Sequence, residues 1–195
     1  MNATVQEFEK LIADFYGAPY AVATDCCTHA IELCLRFSKP KEVICPKHTY
    51  LSMPMTLKKL DIPFTFKDNF WEKYYYICNT NIIDAATYWQ KDGYIDGTYM
   101  CLSFQFKKHL STGRGGMILL DNLEAYNTLQ CMKYDGRQNN IPWKEQNIKM
   151  LGFHYYMTQE TAQLGIERFN QVFDKEPKIW SYRDYPDLTT MEVFH

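Results

Sequence analysis

No stretch of this sequence is apolar for long enough to span a membrane as a helix, and none is repeated or of low complexity. Charged residues are present in ordinary number, but their signs nearly cancel. A net charge of −2 gives no electrostatic case for nucleic acid or an anionic membrane as partner. The seven cysteines (26, 27, 34, 45, 78, 101 and 131) include no CxxC pair, and Cys34, Cys45 and Cys101 sit in apolar runs. That spacing argues against zinc, and a disulfide scaffold is not expected in a chain of this size. No metal site is therefore expected. The opening MNATVQEFEK carries no secretory pattern, so a reduced, cytoplasmic protein is the expectation.

What is present is a chain of 195 residues, long enough for one domain, or one plus a short appendage. Fifteen tyrosines and twelve phenylalanines can serve a core, a subunit interface or a stacking site. The stretch from Tyr99 to Leu120, YMCLSFQFKKHLSTGRGGMILL, organises the rest. It reads as a buried strand, a loop with two lysines at its mouth, and a return strand. A lysine held between core strands is a candidate Schiff-base amine, and a solvated basic turn is the alternative.

Val5, Phe8, Leu11, Ile12 and Phe15 recur at helical spacing, predicting an amphipathic helix over 4–15. Tyr20–Thr24 is a short strand, then a turn, then a helix capped by Asp25 or Thr28. Strand, turn and helix N-terminus together can bind phosphate, although this turn has no glycine. Strands at 42–45 and 63–66 flank a helix reaching about Leu60, with Pro54 near its first turn. This alternation predicts an α/β sheet with mostly parallel strands. Beyond Lys67 the pattern blurs into strands at 74–78 and 81–83. The second ends at Asp84, which either faces a ligand or caps a helix. Helices are predicted over about 122–133 and 159–174, the latter capped by Thr158. Residues 135–143 form a polar loop bordering the site, and 177–195 an arm packed on the surface or on a partner. His48 and His109 read as structural. Arg114 and Arg137 are either substrate contacts or surface residues. Trp71, Trp89 and Trp180 read as packing residues.

Five motifs in order, DCCTHAIELCL, ICPKHTYLSMPM, IIDAATYW, SFQFKKHLSTGRGGMILLD and LGFHYYMTQETAQLGIERF, resemble the DegT/DnrJ/EryC1/StrS nucleotide-sugar aminotransferases. The resemblance runs from the first helix to about residue 175. It implies a three-layer α/β sandwich with a mostly parallel central sheet: a shortened fold-type-I large domain dependent on pyridoxal 5'-phosphate (PLP). Residues 1–176 would be that domain and 177–195 an arm left of the small domain. Lys108 matches the Schiff-base lysine and proton shuttle, its spacing from Ser103 and to Gly113 selecting it over Lys107. Asp84 matches the carboxylate that pairs with the pyridine nitrogen. Tyr50 matches the stacking aromatic; Cys27, Thr28 and Ser103 match the phosphate site; Thr87 falls near the ring hydroxyl. His154 stands where the family has an asparagine reaching the partner subunit's cofactor, which implies a homodimer with shared active sites. An amino-acid donor, glutamate in type, and a nucleotide-linked keto-sugar are the implied substrates. Three departures stand out. The phosphate turn reads Cys26-Cys27-Thr28 instead of Ser-Gly-Thr, Tyr156 replaces a common arginine, and the Phe66–Asp84 segment lacks at least one crossover unit. A non-catalytic relative is the alternative these departures leave open. A sugar dehydratase fits less well, because those members replace the lysine by histidine and Lys108 is retained.

Overall fold

The computed structural model describes residues 3–195. Helix α1 (Ala3–Tyr16) buries the predicted stripe of Val5, Phe8, Ile12 and Phe15 and ends at Gly17, whose φ of +76° is the left-handed closure glycine adopts without strain. Strand β1 (Tyr20–Thr24) leads into α2 (Cys27–Ser38). The predicted cap of α2 is not formed. Cys26 occupies the N-cap without a side-chain bond, while Asp25 and Thr28 are engaged elsewhere. Strand β2 (Val43–Pro46), α3 (Ser52–Lys59) and β3 (Phe64–Lys67) follow.

Strands β4 (Tyr75–Tyr76) and β5 (Ile82–Asp84) come next, then β6 (Tyr99–Ser103), β7 (Gly116–Leu120), α4 (Leu123–Met132) and α5 (Gln159–Val172). Thr158 caps α5 as predicted, its side chain accepting the Thr161 N–H. Asn122 caps α4, accepting the Ala125 N–H. Both fit the preference for short polar side chains where helical N–H groups lack partners.

The main sheet has the order β1-β7-β6-β5-β4, and β2 pairs with β3 separately. The expectation of a mostly parallel sheet is corrected by this pairing. Only β5–β6 is parallel in the five-stranded sheet; the other three pairings are antiparallel. For β4 the reason is chain length. Only residues 77–81 separate β4 from β5, too few for the dozen or more that a parallel crossover needs, so the two strands close as a hairpin. An isolated antiparallel bridge between Ile44 and Cys78 joins β2 to the end of that hairpin. The β5-to-β6 crossover contains no helix and packs through Trp89, Tyr88 and Tyr94.

Side chains of the central strands alternate between two cores. Ala21, Ala23, Met100, Leu102, Met117 and Leu119 pack with α1 and α5, whereas Val22, Cys101, Ile118 and Leu120 pack with α2 and α4. Burial on both faces explains why these strands read as unbroken apolar runs. Phe8, fully buried against Phe104, contributes about 1.5–3 kcal/mol by leaving water. Its ring also explains Gly165 within α5, since a Cβ there would lie 2.5 Å from Phe8 Cζ.

The strand directions gather one set of chain ends together. β1, β2, β5 and β6 deliver their carboxyl ends, and β7 its start, to one edge of the sheets.

Candidate active site

A cavity of about 560 Å³ opens at that edge, within the ordinary range for small-molecule sites. The turn after β1 supplies Cys26, Cys27 and Thr28; the loop after β2 supplies Thr49, Tyr50 and Ser52. The end of β5 supplies Asp84 and Thr87, and the end of β6 supplies Ser103 and Lys108. Seven of the eight residues singled out from sequence therefore meet here. His154 does not. It lies exposed at the surface, with Nδ1 3.2 Å from both Asp135 carboxylate oxygens. The 135–143 loop contributes nothing to the lining, contrary to expectation. Arg137 instead pairs with Asp135 and stacks on Tyr134.

Asp84 is the best-held group in the cavity. Its Oδ2 accepts the Tyr75 hydroxyl at 2.7 Å and its Oδ1 accepts the Ala86 N–H at 3.0 Å. No helix follows it, which removes the capping alternative. Burial pushes its carboxyl above the usual range, while the Tyr75 bond, the Ala86 N–H and the charge of Lys108 pull it back. Lys108 sits half-buried opposite. Burial lowers its ammonium below the ordinary lysine value and Asp84 opposes the shift. The solvated-turn reading of Lys108 does not survive this placement. Lys107 beside it is exposed.

The turn before α2 is packed hard onto β7. A Cβ on Gly116 would fall 2.4 Å from the Cys26 carbonyl carbon and 2.5 Å from the Cys27 nitrogen, so only glycine lets the turn settle there. Thr28 Oγ1 donates to Ser52 Oγ at 3.0 Å, and Ser103 lies across the cavity floor. Helical N–H groups at the start of α2 and three hydroxyls form a cup with the chemistry to hold an anion, despite the bulk of the two cysteines. Beside it, Arg114 donates to Asp25 at 2.8 Å, and His29, stacked on Tyr155, meets the other Asp25 oxygen at 2.6 Å. Asp25, Cys26 and His29 have ligand atoms within 4.8 Å of one another. Because Arg114 already neutralises Asp25, the trio reads as an ion-pair cluster.

Thr49, Ser52, Tyr75, Asp184 and Tyr185 line the cavity without having been singled out from sequence, and Trp180 was read only as packing. Trp180, Asp184 and Tyr185 reach the cavity from residues 177–195, which carry no helical or strand periodicity. Those residues form three 3₁₀ turns (Tyr182–Asp184, Leu188–Thr190 and Glu192–Phe194), and Leu188 is fully buried. Backbone bonds from Lys73 to Trp180, from Tyr182 to Trp71 and from Leu188 to Lys47 fasten the segment in place. Its neighbours are structural, as read: His48 bonds the Tyr185 carbonyl and His109 the Val172 carbonyl. Trp180 is not merely packing, since Lys108 Nζ lies 5.7 Å from its ring. Trp71 also lines the cavity while donating to the His48 carbonyl. A larger depression of about 770 Å³, between the end of α2 and residues 150–153, has no buried titratable group in its lining.

The family model for DegT/DnrJ/EryC1/StrS aminotransferases matches residues 1–91 and 83–179. Among solved structures, the chain is similar to AtS13 from Actinomadura melliaura (TM-score 0.78, 19% identity). It is also similar to the sugar aminotransferase CalS13 from Micromonospora echinospora (0.75, 15%). A third similar structure is the GDP-4-keto-6-deoxymannose-3-dehydratase ColD with bound GDP-perosamine (0.71, 18%). Each comparison covers 88% of this chain but only 61% of the other. At these identities the likeness is one of fold. No curated protein sequence matches significantly.

Proposed function

The chain belongs to the DegT/DnrJ/EryC1/StrS aminotransferase family, and from that premise we propose that it is a PLP-dependent aminotransferase acting on a nucleotide-linked keto-sugar with a glutamate-type donor. The cofactor of the family is PLP. The observation that carries the reading for this chain is the pairing of a half-buried carboxylate, Asp84, with a half-buried amine, Lys108, in one cavity beside the helix start of α2.

The residues present suit that cofactor. Thr28, Ser52, Ser103 and the first N–H groups of α2 would take its phosphate, Asp84 its ring nitrogen, and Tyr50 one face of its ring. When bound, PLP supplies an electron sink for breaking a bond at the amino-bearing carbon. Asp84, when ionised, would favour a proton on the ring nitrogen. Lys108, its ammonium weakened by burial, takes up and returns a proton at Nζ. Trp180, its ring 5.7 Å from Nζ, helps to shield that nitrogen from water, and Trp71 and Tyr185 line the same cavity. Residues 1–176 act as the cofactor-binding domain and 177–195 as an arm that walls it. His154, exposed and outside its own cavity, is read as the residue that serves a partner subunit in a homodimer. No described helix is long and apolar enough to cross a membrane, and a cytoplasmic enzyme is the reading that fits a sugar-nucleotide substrate.

The test is an absorbance spectrum with added PLP, before and after borohydride, for the wild type and Lys108→Ala. The expected result is a visible band that borohydride fixes on Lys108 and that the variant lacks. Bleaching of the band by glutamate then supports amino transfer. No band at saturating PLP refutes the enzyme reading and leaves a non-catalytic relative.

A further inference from the structure

The hairpin that replaces the missing crossover places Tyr75 directly opposite Asp84 in the strand register. Residues so paired project to the same face of a sheet. Tyr75 is 4% exposed and packs on Trp71 with ring centroids 5.3 Å apart. Its hydroxyl lies 2.7 Å from Asp84 Oδ2 and 2.6 Å from Thr49 Oγ1. A phenol has one proton to give, and an ionised carboxylate can only accept. The direction is therefore fixed: Thr49 donates to Tyr75, and Tyr75 donates to Asp84.

We propose that Tyr75, oriented by Thr49, is the positioning residue of Asp84: it occupies one carboxylate oxygen, fixes the plane of the group, and keeps it ionised for a cationic ring nitrogen. Oδ1 accepts only the Ala86 N–H and keeps acceptor capacity for that partner. The inference rests on the proposed binding of PLP. Burial pushes Asp84 toward its neutral form, and the Tyr75 bond opposes that push most strongly. The one charged group that acts on it is the cation Lys108, while Cys27, Cys45, Cys101 and Tyr185, from α2, β2, β6 and the C-terminal segment, are pushed up by burial and by Asp84 and stay uncharged. One cation at the cavity wall is weak compensation, so the short Tyr75 bond has a large share in holding the charge. Burial and the neighbouring Asp84 in turn push the Tyr75 phenol far up, so it remains a donor at every working pH.

The experiment uses Tyr75→Phe, which keeps the ring against Trp71 and removes only the hydroxyl, and Thr49→Val, which leaves that hydroxyl but frees it. Asp84 is titrated in the cofactor-free protein by carboxyl ¹³C NMR, assigned with Asp84→Asn. PLP affinity is measured separately from the absorbance band. Tyr75→Phe is expected to move the Asp84 titration to higher pH and to weaken PLP binding about tenfold at neutral pH, the loss shrinking as pH rises. Thr49→Val should shift both in the same direction by less. Should Tyr75→Phe not fold, the Thr49→Val titration decides alone. An unmoved Asp84 titration overturns the proposal. A wild type that binds no PLP overturns the cofactor reading instead, while the titration still decides whether Tyr75 controls the charge.

Discussion

Replacing Lys133 by methionine should cost this fold about 3 kcal/mol. Lys133 ends α4, on one face of the sheet, and Glu9 belongs to α1 on the other. Their side chains meet around the free edge of β1, with Nζ 2.7 Å from Oε1 and side-chain exposures of 2% and 6%. The same Oε1 accepts the Ala23 N–H of that edge strand at 2.7 Å, and Gln130 Nε2 stands 3.3 Å from both Glu9 oxygens. Removing the cation leaves a buried carboxylate with two neutral donors. Breaking a buried pair in this way costs about 3–5 kcal/mol, and the surviving donors set the lower end. Glu9→Gln keeps an oxygen for Ala23 but strands the ammonium, at a similar cost. The double variant removes both charges together and should lie within about 1 kcal/mol of wild type. The cycle should thus show a coupling of several kcal/mol, a large part of the roughly 5–15 kcal/mol that holds a domain. Urea unfolding followed by tryptophan fluorescence measures it, with unchanged denaturant slopes as the control. Single variants costing under about 1 kcal/mol, or a double costing their sum, would refute the reasoning.

Gly116→Ala should lose about 1–3 kcal/mol of stability and, by displacing the Cys26–Cys27 turn, most PLP affinity; a thermal melt and a PLP titration equal to wild type would contradict it. The His29 cluster should make stability depend on pH. Burial opposes the imidazolium, but the hydrogen bonds and charges of Asp25 and Cys26 push it up to about 9 from an ordinary 6.5. A raised folded value stabilises fully below pH 6.5 and is lost as pH climbs through 9. His29→Phe keeps a ring on Tyr155 and removes the charge. Because the site is half open to solvent and Arg114 competes for Asp25, the wild-type advantage should be about 1–2 kcal/mol at about pH 6. It should vanish by about pH 9.5, and urea unfolding showing a gap that grows with pH would reverse the sign of the argument. Lys108→Ala, finally, should bind PLP without the visible band, read in the same spectra as the wild type.

Helix periodicity, the Thr158 cap and the strand–loop–strand around Lys108 were legible in the sequence because each is a local matter. A helical stripe, an oxygen beside free N–H groups and an apolar run all act within a few residues. Asp84 stood out by its place at the end of an apolar strand, where α/β chains expose polar groups, whereas Lys108, Ser103 and Thr28 were singled out by the family resemblance. What was not local was misjudged or missed. The sheet was expected to be mostly parallel, yet the short link between β4 and β5 turns that strand around. That single reversal puts Tyr75 opposite Asp84, a partnership nothing in the string YYYIC announces. Nor could the string WSYRDY be read as a cavity wall, since its place is set by backbone bonds to Trp71 and Lys73, more than a hundred residues away. The sequence by itself determined the elements and the chemical groups at their ends. Only the tertiary structure decided which of those groups share a cavity, because hydrogen bonds across the sheet and burial between distant segments depend on where the chain returns.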